Sequence, residues 1–172
     1  MSSPTLGQLV RSFFTDHLQV ARGLRTSTVH SYRDVLRLFL NFVAGQARCR
    51  VTDLALDALT FDRTLAFLRH LEVERKNSVR TRNQRLAVLH VFFDYLAQRV
   101  PEMLEVGERV ARIPPKRTAP PETRFLERDE VQLLLDSLEH GPAIDSRDRA
   151  LFLFLYNTGA RAQEVASLRV GH

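Results

Sequence analysis

Residues 81–96, Thr-Arg-Asn-Gln-Arg-Leu-Ala-Val-Leu-His-Val-Phe-Phe-Asp-Tyr-Leu, carry the pattern that decides the fold. Four apolar side chains recur in this stretch at intervals of three or four residues: Leu86, Leu89, Phe93 and Leu96. In a helix these side chains would share one face, which a protein core would cover. Pro101 is expected to end the helix, because proline lacks the amide hydrogen that a helix interior needs. The stretch therefore predicts a long amphipathic helix.

Three further stripes with helical spacing precede this helix. They consist of Leu6, Leu9, Val10, Phe13, Phe14 and Leu18; of Val29, Tyr32, Leu36, Phe39 and Val43; and of Phe61, Leu65, Leu68 and Leu71. Thr26 or Ser27 is expected to cap the second helix at its start, and Gly45 to end it. No window alternates apolar and polar residues for long enough to indicate a strand. Residues 1–99 are predicted to form an all-α bundle of four helices.

The pattern changes over residues 100–124, where five of the seven prolines lie. Pairs of prolines resist helix and sheet and keep the chain extended, so this segment is predicted to link two domains. A short helix is expected near residues 103–110. Residues 125–172 then begin a second domain, with an amphipathic helix followed by an almost wholly apolar run at 149–156 that suits a buried helix.

The composition is that of a globular protein, with 44% hydrophobic and 26% charged residues. No apolar run is long enough to span a membrane, so no membrane partner is expected. Residues 1–10 lack a basic region followed by an apolar core, so no secretory signal is expected either. Cys49 is the single cysteine, which argues against a disulfide framework or a thiol-based metal site. The expected location is the cytoplasm.

The net charge of +5 is unevenly distributed along the chain. Residues 1–98 carry a net +6, whereas residues 125–172 carry −3. The first domain is therefore the part expected to meet a polyanion. Arginine outnumbers lysine 23 to 2. The planar guanidinium group suits phosphate and guanine, although a GC-rich genome would give the same bias.

The densest basic cluster spans residues 75–85, Arg-Lys-Asn-Ser-Val-Arg-Thr-Arg-Asn-Gln-Arg, with five positive charges and no acid. It straddles the expected start of the fourth helix, where free N–H groups and the helix dipole favour phosphate. A solvated loop and helix end is the alternative, but basic side chains at a helix start oppose the dipole. The pattern favours double-stranded DNA as the partner. The residues expected to contact it are Lys76, Arg80, Thr81, Arg82, Asn83 and Arg85.

Four stretches resemble motifs of the tyrosine recombinases, the phage integrase family. Residues 28–40 are similar to an early helix of its core-binding domain, T-x-x-x-Y-x-x-x-L-x-x-F, and residues 81–96 to the last long helix, N-x-R-L-x-x-L-x-x-F-F. Residues 125–135 resemble the start of its catalytic domain, although Glu127 stands where a capping Thr or Ser is usual. Residues 157–168 resemble its first active-site motif, T-G-x-R-x-x-E-hydrophobic-x-x-L.

The resemblance implies a SAM-like core-binding bundle over residues 1–99 and the first helices of an integrase-type catalytic domain over 125–172. It implies that Arg161 grips the DNA phosphate being cut, and that Glu164 holds this guanidinium group in its rotamer. The family reaction passes through a 3′-phosphotyrosine and uses no metal and no high-energy cofactor. An ion pair on the protein surface is the alternative for these two residues. Gly159 is expected to supply a turn with positive φ.

The same resemblance sets what else catalysis would need after Arg161: a lysine, an H-x-x-R motif and the tyrosine nucleophile. No lysine or tyrosine follows Arg161 in the 172 residues. Tyr32, Tyr95 and Tyr156 precede it on apolar helical patterns, which are typical of core packing. We therefore expect a C-terminally truncated family member that binds DNA, and possible partner recombinase subunits, but is inactive alone. A helical adaptor for a protein partner and a non-functional mobile-element remnant are the alternatives.

Overall fold

A computed structural model of the chain describes residues 4–119, 125–138 and 143–169, with no account of the side chains of 143–145. Within these ranges the secondary structure is helical, without strands, so the predicted all-α class is confirmed. The chain divides into two compact units, residues 1–119 and residues 120–172. Each unit is described by itself.

The described part of the first unit contains five α-helices. They are α1 (Leu6–Ser12), α2 (Thr26–Ala47), α3 (Phe61–Val73), α4 (Val79–Arg99) and α5 (Leu104–Ala111). A π-helical segment, Phe13–Ala21, continues α1 without a break, and single 3-10 turns lie at Val51–Asp53, Leu56–Ala58 and Pro101–Met103.

One aromatic-rich core holds these helices together. Phe13 from the first helical stretch meets Phe92 of α4 edge to face, with ring centroids 5.1 Å apart. Phe39 of α2 meets Phe67 of α3 in the same way at 5.2 Å. All four rings are fully buried. Burial of such a side chain contributes about 1.5–3 kcal/mol, so these contacts account for the packing of four helices as predicted.

The stripe predicted for α3 differs from the one observed. Leu65 is 39% exposed, whereas Phe67 is fully buried between the rings of Phe39 and Phe42. A phenyl ring removes more apolar area from water than a leucine side chain, and this decides which side of α3 faces the core. Thr64 is also buried, and its polar group is satisfied there because its hydroxyl donates to the carbonyl of Thr60 at 2.9 Å.

The expected ends of α2 were also wrong. The helix begins at Thr26 after Arg25, and no side chain caps it. Gly45 lies inside the helix, which continues to Ala47 and ends at Arg48 in the left-handed conformation, with φ of 53°. Hydrogen bonds from the amides of Arg48 and Cys49 back to the carbonyls of Gly45 and Ala44 close this end. Backbone hydrogen bonds therefore close α2 at Arg48, whereas the sequence predicted that the helix would end at Gly45.

The segment predicted to be a linker, residues 100–124, is largely part of the first unit. It forms a 3-10 turn and then α5, close to the short helix expected at 103–110. Met103, Val110 and Ile113 are buried in the core, which is why the first unit runs to Ala119 rather than ending at residue 99. The irregular conformation that the prolines predicted is found at residues 113–119. Residues 120–124 lie outside the described residues.

The described part of the second unit contains α6 (Arg128–Ser137), α7 (Ala143–Thr158) and α8 (Ala162–Ala166). At the start of α6, the amide of Glu127 donates to the Glu130 carboxylate at 2.8 Å. The apolar run on α7 is not enclosed within this unit, since Phe152 is 43% exposed and Tyr156 is 58% exposed. Core packing was therefore the wrong expectation for Tyr156. It is confirmed for Tyr95, which is fully buried, and for Tyr32, which packs against the core.

None of the described helices is both long and apolar enough to cross a lipid bilayer.

Candidate nucleic-acid interface

The turn between α3 and α4 is closed by backbone hydrogen bonds and presents basic side chains to solvent. The amides of Arg75 and Asn77 donate back to the carbonyls of His70 and Leu71 at 3.1 and 2.9 Å. Lys76, between them, has a φ of 52°. Arg75 and Lys76 are exposed, as is Arg80, the second residue of α4. The predicted contacts Lys76 and Arg80 are therefore free to reach a phosphate group.

The start of α4 is capped from within the turn. The hydroxyl oxygen of Ser78 accepts from the amide of Thr81 at 3.2 Å, and the two hydroxyl groups lie 3.0 Å apart. This cap satisfies one of the N–H groups that the helix start leaves without an intrahelical partner. Thr81 is therefore half-buried at the edge of the basic cluster, where its hydroxyl group belongs to the cap.

Arg85 is half-buried one turn further along α4. Its guanidinium group donates to the side-chain oxygen of Asn77, which ties the turn to the helix. Burial lowers the pKa of Arg85, and the positive charge of Arg75 lowers it further. The guanidinium group stays protonated in water because an arginine pKa lies far above neutral. Two arginines held close together in this way favour an anionic ligand.

Arg82 and Asn83 contact the protein itself rather than pointing to solvent. Arg82 is only 5% exposed, and its Nη1 donates to the carbonyl of Pro114 at 3.3 Å and to Asn83 Oδ1 at 3.1 Å. Asn83 makes two hydrogen bonds to the backbone of Lys116. The sequence grouped both residues with the DNA contacts, but the structure separates them from Lys76 and Arg80.

An open groove of about 550 Å³ runs between the first halves of α2 and α4. Its lining combines hydroxyl groups, one amide, one guanidinium group and the carboxylate of Asp34 with the apolar side chains of Val35, Ala87 and Val88. The polar lining residues are Ser27, Thr28, Ser31, Tyr32, Thr81, Gln84 and Arg85. The lining includes residues near the starts of α2 and α4, such as Ser27 and Thr81. The positive ends of both helix dipoles therefore lie beside the groove.

Sequence reasoning missed the contribution of α2 to this groove. Ser27, Thr28 and Ser31 are spaced so that they share one side of a helix, next to the buried stripe that contains Val29 and Leu36. Such a run of small hydroxyl side chains was a detectable signal. It lacks charge, however, and positive charge is the feature that distinguishes a DNA-binding surface most clearly in a sequence.

In the second unit, Arg161 and Glu164 form the expected pair. The Glu164 carboxylate accepts from the backbone amide of Arg161 at 2.8 Å through Oε2, and from its Nη1 at 3.1 Å through Oε1. Gly159 has the expected positive φ, 63°, and its amide closes α7 by donating to the carbonyl of Leu155. The Arg161 side chain is 84% exposed, so Glu164 holds one side of the guanidinium group while the rest of the group faces solvent.

Metal-ligating side chains are not gathered into a site in the ranges that the structure describes. Three aspartates and Cys49 line a depression beyond the far end of α2. Even there, no group of three or more His, Cys, Asp or Glu side chains lies close enough to hold a metal ion.

Comparison with known proteins agrees with the helical bundle and with its position in the chain. Residues 12–100 match the family described as phage integrase, N-terminal SAM-like domain. The chain is 37% identical over 163 residues to the integrase/recombinase-type protein y4rD of Sinorhizobium fredii, covering 95% of this chain and 58% of that protein. It is 32% identical over 158 residues to the tyrosine recombinase XerC of Roseiflexus castenholzii, covering 91% of this chain and 48% of the relative. No solved structure matches the chain.

The chain thus spans about half the length of the curated relatives that it matches. The family match covers the π-helical segment and α2 to α4, and the similarity to the relatives extends into the second unit, which holds Arg161 and Glu164. The chain belongs to the phage integrase family of site-specific tyrosine recombinases.

Proposed function

We propose that this chain is the DNA-binding portion of a site-specific recombinase, and that it binds duplex DNA along the groove between α2 and α4. The observation that supports this most directly is the composition of the groove and its rim. Hydroxyl and amide side chains line the groove, and the exposed Lys76 and Arg80 lie at the helix start that borders it. Bound to chromosomal DNA, the protein would lie in the cytoplasm with the nucleoid.

The two kinds of side chain have different roles in this proposal. Lys76 and Arg80 neutralise phosphates, which gives affinity but little sequence preference. Thr28, Ser31 and Gln84 lie inside the groove and can hydrogen-bond to base edges. Arg85 shares the groove but is partly held by Asn77, so we assign it to phosphate contact at the rim. Arg82 and Asn83 are not direct contacts in this proposal.

Arg161 is proposed to bind the phosphate that the family cleaves. Glu164 holds its backbone amide and its Nη1, and the remaining exposed donors of the guanidinium group can bind phosphate oxygens. Cleavage in the family also needs a tyrosine nucleophile after Arg161, and none follows it in these 172 residues. We therefore propose that a polypeptide of these 172 residues binds DNA, alone or with other recombinase subunits, without cutting it.

The test is the salt dependence of DNA binding by the 172-residue chain. Each phosphate contact contributes about −0.9 to the slope of log affinity against log salt between about 50 and 200 mM. The double variant Lys76→Asn, Arg80→Gln should weaken binding and flatten this slope by about 2 × 0.9. Asn is chosen at position 76 because it tolerates a positive φ better than most residues.

The matched control is Arg50→Gln, which removes a positive charge beyond the opposite end of α2. That helix has 22 residues, so Arg50 lies roughly 30 Å from the helix start. Its ion pair with Asp53 is exposed and contributes little to stability. The control removes one charge and the double variant two, so a loss in the control about half as large as in the double variant would mean that only net charge matters. A wild-type affinity that does not change with salt would rule out the proposed function and leave the protein-adaptor alternative.

A further inference from the structure

After α5 the chain crosses α4 as a short strap, which we define as residues 113–116. Ile113 is buried in the core at 6% exposure and anchors the beginning of the strap. Two prolines follow, and the carbonyl of Pro114 accepts a hydrogen bond from the buried Arg82. Because a proline ring fixes φ, Pro114 and Pro115 lose little conformational entropy when this segment is held in place.

Asn83 holds the end of the strap through two hydrogen bonds. Its Oδ1 accepts from the amide of Lys116 at 3.0 Å, and its Nδ2 donates to the carbonyl of the same residue at 2.7 Å. Neither proline has an amide hydrogen, so Lys116 offers the first backbone donor after Ile113. One side chain therefore satisfies both backbone groups of Lys116 and fixes the direction of the chain beyond it.

A third attachment joins the strap to α3. Lys116 Nζ lies 2.7 and 2.9 Å from the two carboxylate oxygens of Glu72. Glu72 is the second-last residue of α3, and Asn83 is the fifth residue of α4. Lys116 is consequently held at the end of the bundle where the basic turn lies. Arg117 is the next residue, with its Cα atom about 3.8 Å from that of Lys116, and it is exposed.

The environment of Arg82 explains why it depends on the strap. Its guanidinium group is buried, and its Nη1 donates to uncharged oxygens of Pro114 and Asn83. Its Nε has no hydrogen-bond partner. A buried charge is costly unless it is hydrogen-bonded, so the strap stabilises Arg82 by supplying a second acceptor besides Asn83. Arg82 in turn supplies the donor that the carbonyl of Pro114 needs.

We infer that Arg82 and Asn83 are positioning residues: by holding the strap, they place Arg117 beside Lys76 and Arg80 in one phosphate-binding surface. The inference rests on the proposed function, because it concerns how the same DNA is held. It assigns DNA contact to Arg117, which the basic cluster at residues 75–85 does not include. It also gives Arg82 and Asn83 an effect on DNA binding without contact.

The experiment is a double-mutant cycle on DNA affinity with Arg117→Gln and Asn83→Ala in the 172-residue chain. In the otherwise wild-type chain, Arg117→Gln should reduce the salt slope by about 0.9, the value for one phosphate. In the Asn83→Ala background the same substitution should change the slope much less, because Arg117 is no longer held in place. Trypsin should also cleave after Lys116 and Arg117 several-fold faster in Asn83→Ala than in the wild type.

The outcomes separate a positioning role from a direct one. If Asn83 contacts DNA itself, the two substitutions will act additively, and the inference is wrong. It is also wrong if Arg117→Gln leaves the slope of the wild type unchanged. Should Asn83→Ala fail to fold, Asn83→Ser, which keeps a polar group at the position, takes its place in the cycle. If the wild type binds no DNA, the proposed function fails together with the inference, whereas additivity defeats the inference alone.

Discussion

Asn83 pairs with the backbone of Lys116, 33 residues away, by donating to its carbonyl and accepting from its amide. The amide side chain thus makes the same pair of hydrogen bonds that a neighbouring strand would make, although the described residues contain no strand. The basic pattern around Asn83 predicted a contact to DNA. In the structure, Asn83 instead holds the segment that follows α5 against α4.

Replacing Asn83 should therefore reduce stability. Each of its two hydrogen bonds to Lys116 is expected to contribute about 0.5–1.5 kcal/mol, so losing them in Asn83→Ala should lower the free energy of unfolding by about 1–3 kcal/mol. Urea unfolding at neutral pH measures the change. Gln84→Ala is the control, because Gln84 is the exposed neighbour of Asn83 on the same helix turn. Equal stabilities for the two variants would mean that the strap contributes nothing to the fold.

The contact between α4 and α5 depends on a glycine. A Cβ atom added at Gly107 would lie 2.9 Å from Ala97 Cβ and 3.2 Å from the carbonyl oxygen of Phe93. Gly107→Ala should consequently destabilise the first unit by about 1–3 kcal/mol through overpacking. Adding Ala97→Gly should restore part of the loss, because it removes the nearest atom.

Gly45 provides the opposite case for the same measurement. It also lies inside a helix, but a Cβ atom there would meet nothing within 4 Å. Gly45→Ala should raise the free energy of unfolding by about 0.5–1 kcal/mol, since alanine has the higher helix propensity. If both glycine variants change stability in the same direction, the close approach of α5 to α4 is not as the structure has it.

Stability should fall under mildly acidic conditions because of His90. Burial lowers the pKa of this imidazole, and the nearby charge of Arg82 lowers it further, although the carbonyls of Val110 and Ile113 oppose the shift. Above pH 6.5, the ordinary value, the imidazole is neutral in both states and has no effect. Below it, the unfolded chain binds a proton more readily than the folded one, so the free energy of unfolding decreases.

Thermal unfolding between about pH 7.5 and pH 5 measures this effect. His90→Gln should show a smaller loss of stability on acidification than the wild type. His17, whose pKa is also lowered by burial, should contribute in the same direction, so part of the dependence will remain. The exposed His30 is the control, and His30→Gln should leave the dependence close to that of the wild type. A loss of the dependence in His30→Gln alone would contradict the assignment.

Glu164 should control the local order around Arg161. Its carboxylate accepts from the backbone amide of Arg161 at the start of α8. In Glu164→Ala this amide should exchange with solvent faster, as measured by NMR, because its acceptor is gone. Gln163→Ala, a neighbouring change on the same short helix, should leave the exchange rate nearly unchanged. If both variants exchange alike, Glu164 does not hold Arg161 in solution.

The fold was predictable from the sequence to the extent that apolar spacing decides it. Stripes such as Leu86 to Leu96 predicted the helices correctly, because a helix face must be covered by a core. The sequence did not reveal that Met103, Val110 and Ile113 complete the core, because the prolines around them indicated an extended linker. Whether this segment packs on the core or stays extended depends on close packing between α5 and α4. That packing requires Gly107 and cannot be predicted from the local sequence pattern.

The candidate site was predictable only in part for a similar reason. Charge marks Lys76 and Arg80 correctly as exposed cations, but it marks Arg82 equally, and Arg82 is buried. Only the partner carbonyl of Pro114, more than 30 residues along the chain, distinguishes the two cases. The pair formed by Arg161 and Glu164 was easier to predict, because three residues at a helix start determine its geometry.

The most direct test of DNA binding along the α2–α4 groove is an NMR titration of the ¹⁵N-labelled 172-residue chain with a short mixed-sequence DNA duplex at low salt. We expect the largest amide shift changes at residues 25–32 and 75–85, with smaller ones at 116–117 and almost none at 47–63. Changes concentrated at 47–63, around the aspartate-lined depression at the opposite end of α2, would contradict the proposed interface. An unchanged spectrum at saturating DNA would contradict DNA binding by this chain altogether.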